Sequence, residues 1–438
     1  MSLKTSNLPF KARVDHEVHN TIMRKAVVKA QETIGANRQK MVDELGHWEE
    51  WRDLSKQIRN HVLANLDAYL YQLSEKVMEN GGKVYFAETA EEASAYIRKV
   101  ALEKNAKKIV KSKSMVTEEI GLNEVLEKEG MQVIETDLGE YLLQISGDKP
   151  SHIVVPAIHK DRHQIRKDLS EKLGYEGEET PEDMTRFVRE KIRQDFLEAD
   201  IGISGCNFAV AETGSFQEVD VLITMLARSA VGAKLTGYNT WLTGPRLAGE
   251  TDGPEEFHLV IVDNGRSDIL ASEFQEVLRC IRCGACLNTC PAYRQIGGHG
   301  YGSIYPGPIG AVISPLLGGY DEFKELPYAC SLCNACNSVC PVRIPLAQLI
   351  LKHREKMVEL GKTPAMERLS IFGFTTANAN PILWKTGVNI GAKLAGKLIK
   401  NGKAPITFGA LGEWTKARDL PQADGESFRQ WFNNRERG

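Results

Sequence analysis

Apolar residues recur at spacings of three and four across residues 58–77, where Val62, Leu63, Leu66, Leu70 and Leu73 share one stripe. That is the period of an amphipathic helix. The surrounding stretch, residues 1–80, is charged and poor in glycine, and it reads as a helical arm packed on the domain that follows. From residue 81 the period changes. Short β-rich runs at 84–87, 109–110, 133–134, 153–155, 201–204, 209–212 and 259–262 alternate with helical stretches at 90–104, 117–129 and 181–198. Such alternation predicts an α/β sheet with helices on its faces, here over residues 81–268. After Pro345 the periodic stretch 346–360 predicts a helix closing a smaller, mainly helical module over 269–360, and 361–438 forms a helical or extended tail.

Small molecules bind such sheets at the carboxyl ends of the strands. Lys111, Lys113 and Ser114 follow one strand and open a helix, a setting suited to an anion. Asp137 and Glu140 follow another, Glu212, Thr213, Gly214 and Ser215 a third, and Arg246 sits in a Gly-Pro turn. Together they define a candidate ligand pocket, although singly each is an ordinary cap or turn residue. His159 is a candidate titrating group beside it. Cys206 is a candidate nucleophile without an identifiable base, and a buried free cysteine is the commoner case. Gly214 stands alone, without the glycine-rich run of a flavin or nicotinamide site.

Eight of the nine cysteines fall into two copies of C-x2-C-x2-C-x3-C-P, at Cys280, Cys283, Cys286, Cys290 and at Cys330, Cys333, Cys336, Cys340. This doubled run is the pattern of a two-cluster ferredoxin. The first three cysteines of each run hold one [4Fe-4S] cubane and the fourth ligates the other. The expected sets are therefore Cys280, Cys283, Cys286 with Cys340, and Cys330, Cys333, Cys336 with Cys290. Zinc sites more often use two separated C-x2-C pairs. Disulfides do not suit such tight spacing in a chain without a secretory signal.

Composition narrows the setting. The 438 residues exceed what one core usually covers, and a net charge of −3 argues against nucleic acid as the main partner. Residues 1–10 lack an apolar h-region, and no run of eighteen apolar residues occurs, so a cytoplasmic protein without a transmembrane segment is expected. Between the cysteine runs, residues 297–319 hold eight glycines and three prolines. A structured loop is expected there, with amides aimed at cluster sulfurs or at a docked partner. In the tail, Lys385, Lys393, Lys397 and Lys400 are interleaved with apolar residues, which suits docking on another subunit or peripheral membrane contact. Gly387, Gly391 and Gly396 weaken that helix.

The segments 111–119, 135–140, 208–215, 242–246 and 253–266, followed by the doubled cysteine runs and by 424–428, closely resemble the lactate-utilisation protein B family. The resemblance implies a lactate-utilisation (LUD) domain, distantly like the sheets of sugar-phosphate isomerases and CoA-transferases, joined to a two-cluster ferredoxin module. It also implies electron transfer, as an oxidoreductase component, within an assembly with two other subunits that oxidises L-lactate to pyruvate. Another 2-hydroxyacid oxidase, such as one acting on glycolate, and a non-catalytic ligand or redox sensor are the alternatives. One departure stands out. After Ser215 the family continues through a further βαβ passage of roughly 30 residues, whereas this chain runs straight into the helix around Val219. An exposed sheet edge or gap beside 209–212 is the expected consequence.

Overall fold

The structure, a computed structural model, describes residues 3–212, 216–236, 240–398 and 428–435. Its two compact units are Met1–Glu359 and Leu360–Gly438.

Four helices open the first unit: α1 (Phe10–His19), α2 (Thr21–Leu45), α3 (Trp48–Ala64) and α4 (Leu66–Glu79). The single helix expected over 58–77 is therefore two. Asn65 leaves helical geometry at φ −126° and turns its side-chain amide back onto the His61 carbonyl at 2.8 Å, the local competition that favours asparagine at helix ends. The arm does not pack mainly on the next domain in sequence. Met23 and Val27 of α2 and Ile58 of α3 join the core that contains Cys283, Cys290 and Tyr293, so the arm belongs to the cysteine module.

The α/β part follows the predicted alternation, with its sheet in two pieces. Strand β1 (Lys83–Ala87) pairs in parallel with β5 (His258–Val262), while β2 (Lys108–Lys111) lies between β3 (Gln132–Glu135) and β4 (Ile201–Ile203), also parallel. Between the strands run α5 (Ala90–Glu103), α6 (Met115–Glu119), α7 (Leu122–Glu127), α8 (Leu138–Ser146), α9 (Arg162–Leu173) and α10 (Pro181–Glu198). Ile109 of β2 and Val133 of β3 share one core with Ala93 of α5 and Leu126 of α7, and Ile201, Ile203, Val260 and Val262 pack against it. Both pieces thus cover the same interior.

Three expectations change here. The helix expected over 117–129 breaks at Gly121 into α6 and α7. Residues 153–155 are turn rather than strand, because the His152 ring accepts at Nδ1 from the amides of Val154 and Val155, both at 3.0 Å, and folds the backbone onto itself. Residues 209–212 are also irregular, so β4 ends its sheet among the described residues. Helix α11 (Phe216–Ala230) then begins directly after residues 213–215, which lie outside the described residues.

The cysteine module is built from short helices: α12 (Arg266–Leu270), α13 (Ala285–Asn288), α14 (Pro291–Ile296), α15 (Gly307–Gly318), α16 (Tyr320–Phe323), α17 (Ala335–Val339) and α18 (Leu346–Glu359). In the second unit α19 (Ala365–Ala379) and α20 (Pro381–Leu398) pack against each other, with Phe374 edge-on to Trp384 at 6.3 Å, and α21 (Phe428–Asn434) follows. Of the tail lysines, Lys393 and Lys397 lie where side chains are not described, and Lys400 is outside the described residues. Among the described residues no helix is long and apolar enough to cross a membrane.

Candidate metal centre

The two cysteine runs fold as repeats of one loop. In the first, Arg282 and Gly284 take φ of 58° and 73°; in the second, Leu332 and Asn334 take 54° and 63°. Left-handed geometry at a bulky residue such as Leu332 is costly, and such strain collects at functional sites. Here it turns amides toward sulfur: Arg282 N–H donates to Cys280 Sγ and Leu332 N–H to Cys330 Sγ, both at 3.3 Å. Each loop then enters a short helix, α13 or α17, that carries the third cysteine. The fourth sulfur accepts from a backbone amide beyond its proline, from Tyr293 at 3.5 Å for Cys290 and from Ile344 at 3.3 Å for Cys340.

Each run shares its space with the last cysteine of the other. Cys280, Cys283, Cys286 and Cys340 line one cavity with Ile153, Ile309, Val342 and Leu346, and Cys290, Cys330, Cys333 and Cys336 line a second. Among the described residues no three of these sulfurs come within 4.8 Å of one another. A tetrahedral zinc with Zn–S bonds of about 2.3 Å would draw its sulfurs to roughly 3.8 Å, so the spread donors suit a polynuclear cluster. Three of the thiols are held in the neutral form: burial pushes Cys283 and Cys286 up, and Cys336 up to about 12. Such buried sulfurs ionise only with a metal to balance them, which fits an iron-sulfur group.

The two cavities differ in exposure. Each has two buried cysteines, Cys283 and Cys340 at the first and Cys290 and Cys336 at the second; Cys280, Cys286 and Cys330 are half-buried, and only Cys333 of the eight is exposed, beside exposed Ser331 and Asn334.

Much of the support around the cysteines comes from the arm and was not read from the sequence. Arg52 donates to the carbonyls of Cys340 at 2.9 Å and Asn337 at 2.7 Å, Arg59 to that of Leu278 at 2.8 Å, and Gln31 to that of Leu287 at 2.8 Å. From the far side Arg354 donates to the carbonyl of Cys330 at 2.6 Å. Arg52 and Arg59 stand seven residues apart, on one helix face. That spacing was the available signal.

The α/β part reaches the first cavity through residues 151–153. His152 accepts at Nδ1, so its proton sits on Nε2 and is donated to Asn288 Oδ1 at 3.1 Å; burial, aided by Lys113, pushes the ring down to about 3. Ile153 lines the cavity itself. Gly284 packs where a Cβ would stand 3.0 Å from the His152 ring, which, with its positive φ, excludes a larger residue. A second link runs from Glu119, which accepts from Arg266 at 2.7 and 2.8 Å and from the Tyr305 hydroxyl at 2.6 Å.

The candidate ligand pocket is gathered only in part. Lys111 is fully buried, with Nζ 2.8 Å from Glu135 and 3.1 Å from Glu118, and Lys113 meets Glu140 at 3.1 Å. Burial, opposed by Lys113, pushes the Glu140 carboxyl up to about 7. One oxygen each of Glu135 and Glu140 has no hydrogen-bond partner. Ser114 and Asp137 cap α6 and α8. Glu212 instead faces solvent and accepts from Gln72 at 3.0 Å, and Arg246 pairs with Glu255 at 3.0 Å, next to Pro245, which packs on Gly81 at the amino end of β1. Those two do not join Lys113 and Glu140, because the strand meant to present Glu212 is absent and Arg246 lies at the opposite strand end. Thr213, Gly214 and Ser215 lie outside the described residues. His159 is buried between Asp148 at 2.9 Å and Ser151 at 2.8 Å, and Cys206 is exposed rather than buried.

Comparison with known proteins accounts for this arrangement. A LUD domain matches residues 70–220, a 4Fe-4S dicluster domain residues 276–344, and the lactate utilisation protein B C-terminal family residues 351–437. An uncharacterized electron transport protein of Escherichia coli (strain K12) is 68% identical over 464 residues, covering 99% of this chain and 98% of that protein. Lactate utilization protein B of Geobacillus thermodenitrificans (strain NG80-2) is 54% identical over 472 residues, covering 100% and 99%, and that of Bacillus subtilis (strain 168) 54% over 470, covering 100% and 98%. Alignments of 464 and 472 residues against a chain of 438 mean that the first two relatives carry at least 26 and 34 positions without a counterpart here. No solved structure matches. With its LUD domain, its 4Fe-4S dicluster domain and full-length relatives at 52–54% identity, this chain belongs to the lactate utilisation protein B family.

Proposed function

We propose that this chain is the iron-sulfur electron-transfer subunit of an assembly that oxidises L-lactate to pyruvate, working with two other lactate-utilisation subunits. It holds two [4Fe-4S] cubanes, one on Cys280, Cys283, Cys286 and Cys340 and one on Cys330, Cys333, Cys336 and Cys290. The observation that carries the reading is the exchange of the fourth cysteine between runs, with each quartet around its own cavity. When bound, each cluster supplies one-electron redox chemistry. The chain's own residues hold the irons as thiolates, aim backbone amides at the sulfurs, and keep water from the first site with Ile153, Ile309, Val342 and Leu346. Residues 151–153 bring the α/β part to the wall of that first site, so the domain beside it and the exposed edge beyond it are joined through the two quartets. The lactate role rests on the names of the relatives.

The test is anaerobic co-purification with the products of neighbouring genes, followed by turnover of L-lactate, D-lactate and glycolate with an artificial electron acceptor. Reduction of the clusters by L-lactate alone is expected. Reduction by glycolate in its place would reassign the assembly, and ligand binding without any reduction would make the chain a sensor.

A further inference from the structure

The glycine-rich loop between the cysteine runs delivers a side chain. Arg13 of the arm donates to the carbonyls of Tyr301 at 3.1 Å and Gly300 at 3.4 Å. Gly298 packs so closely on Ser151 that a Cβ would stand 1.9 Å from its carbonyl oxygen. Held on both sides, the loop drives Tyr301 into the interior until 1% of it is exposed, its ring 6.3 Å from that of Tyr293.

The hydroxyl of this tyrosine has no partner of good hydrogen-bond geometry among the protein atoms. The Cys290 and Cys330 sulfurs are its electrostatic neighbours, and Tyr293, on whose ring Tyr301 packs, donates its own amide to Cys290 Sγ at 3.5 Å. Leaving a buried hydroxyl unpaired is costly, and phenylalanine would avoid that at nearly the same volume. A thiol is a weak acceptor. A thiolate on iron carries charge and is a far better one.

We propose that Tyr301 donates a hydrogen bond to the Cys290 sulfur when that sulfur ligates iron, and so raises the potential of the second cubane. Reduction adds one electron to a cluster and part of its charge to the sulfurs, so a donor at a sulfur favours the reduced form. The second quartet, which the donor makes the better electron acceptor, is the one with an exposed cysteine, Cys333. Tyr301 is a positioning residue in this scheme. The inference rests on the two-cubane reading given above.

The experiment is an EPR-monitored redox titration of the anaerobically reconstituted full chain and its Tyr301→Phe variant. The variant should keep its iron, and the reduction equilibrium of one cluster should fall about tenfold, ~59 mV for one electron, while the other stays in place. Unchanged potentials, or equal shifts of both, overturn the proposal. Pulsed ENDOR on the reduced protein in H2O and D2O supplies a second readout: beyond the backbone amide protons present at both clusters, the second cluster should couple to an exchangeable proton that Tyr301→Phe lacks, and identical spectra of the two proteins overturn the proposal. Failure to find two [4Fe-4S] signals in the wild-type protein would overturn the two-cubane reading instead, a result distinct from either of these.

Discussion

Arg52 on the third helix of the arm donates from Nε to the carbonyl of Cys340, 288 residues away, at 2.9 Å, and from Nη2 to the carbonyl of Asn337 at 2.7 Å. One buried guanidinium therefore fixes the backbone on which the exchanged cysteine of the first quartet stands. Arg52→Met takes this donor from both carbonyls, leaving that of Cys340 with only the Arg343 amide at 3.3 Å, and a buried hydrogen bond left unmade costs about 1–3 kcal/mol. The variant should unfold at lower denaturant by about 2–4 kcal/mol in all and lose iron faster to a chelator. Arg52→Lys should recover only part of this, because an ammonium lacks the planar fork that reaches both oxygens. Anaerobic unfolding followed by iron absorbance checks both.

The exchange of cysteines predicts pairs of matching variants. Cys290→Ser and Cys333→Ser should leave the same residual EPR spectrum, and Cys340→Ser and Cys283→Ser the other one, with iron falling from about eight to about four atoms in each. If Cys290→Ser matched Cys283→Ser instead, each run would be keeping its own fourth ligand, and the shared cavities would have been misread.

Lys111 has no exposed surface and stands between Glu118 and Glu135. Burial works against its charge, yet the two carboxylates hold its pKa above the ordinary lysine value. Removing one member of a buried ionic group leaves the others uncompensated and costs about 3–5 kcal/mol. Lys111→Met should cost that much in thermal or chemical unfolding, and Lys111→Met combined with Glu135→Gln should cost less than the single change, since the second substitution removes the carboxylate left bare. Additive losses would argue against a coupled network.

What could be read in advance follows from what each device requires. The cysteine runs were legible because ligation by iron depends on short-range spacing, and the alternation of strands and helices was legible because period is local. The arm's docking was not, since Arg52 and Gln31 find carbonyls more than 250 residues away, and nothing in the helix names its partner. The turn at 153–155 reads as a strand on β-branching alone; a histidine side chain overrides that by satisfying two amides locally. The pocket was half legible. Lys113 and Glu140 follow adjacent strands of one sheet piece, while Arg246 sits in a turn whose strand end only the fold reveals.

His353 supplies a dependence on pH. It is fully buried, stacked on Phe274 at 4.3 Å, bonded to the Tyr320 hydroxyl at 2.8 Å and to the Val312 carbonyl at 2.9 Å. Burial pushes the ring down to about 4, against the Val312 bond. The unfolded chain, with its histidine near 6.5, then binds the proton first as pH falls. Stability is full above about 6.5, declines through the interval down to about 4, and stops changing from this group below it, a total of roughly 3 kcal/mol. Unfolding of the full chain between pH 7.5 and 5 should show this slope, and His353→Phe, though less stable at pH 7, should show a shallower one.

The final prediction concerns the positions that the relatives have and this chain lacks. The α/β sheet is in two pieces, β1 with β5 and β3-β2-β4, laid over one core in which Ile201 and Ile203 of β4 and Val260 and Val262 of β5 are only partly buried. Among the described residues β4 has a strand partner on one side alone. An unpaired edge lacks ladder hydrogen bonds and apolar cover together. The cysteine module depends on neither, since its ligands lie in loops closed by the arm and by metal-ligand free energy. Inserting after Ser215 the βαβ passage expected of the family should therefore raise the first thermal transition of the full chain, by a few degrees for each ~1 kcal/mol gained, reduce association at high concentration, and leave iron content unchanged. Equal melting of the two forms would mean that the two-piece sheet has already closed over its core as well as a continuous one does.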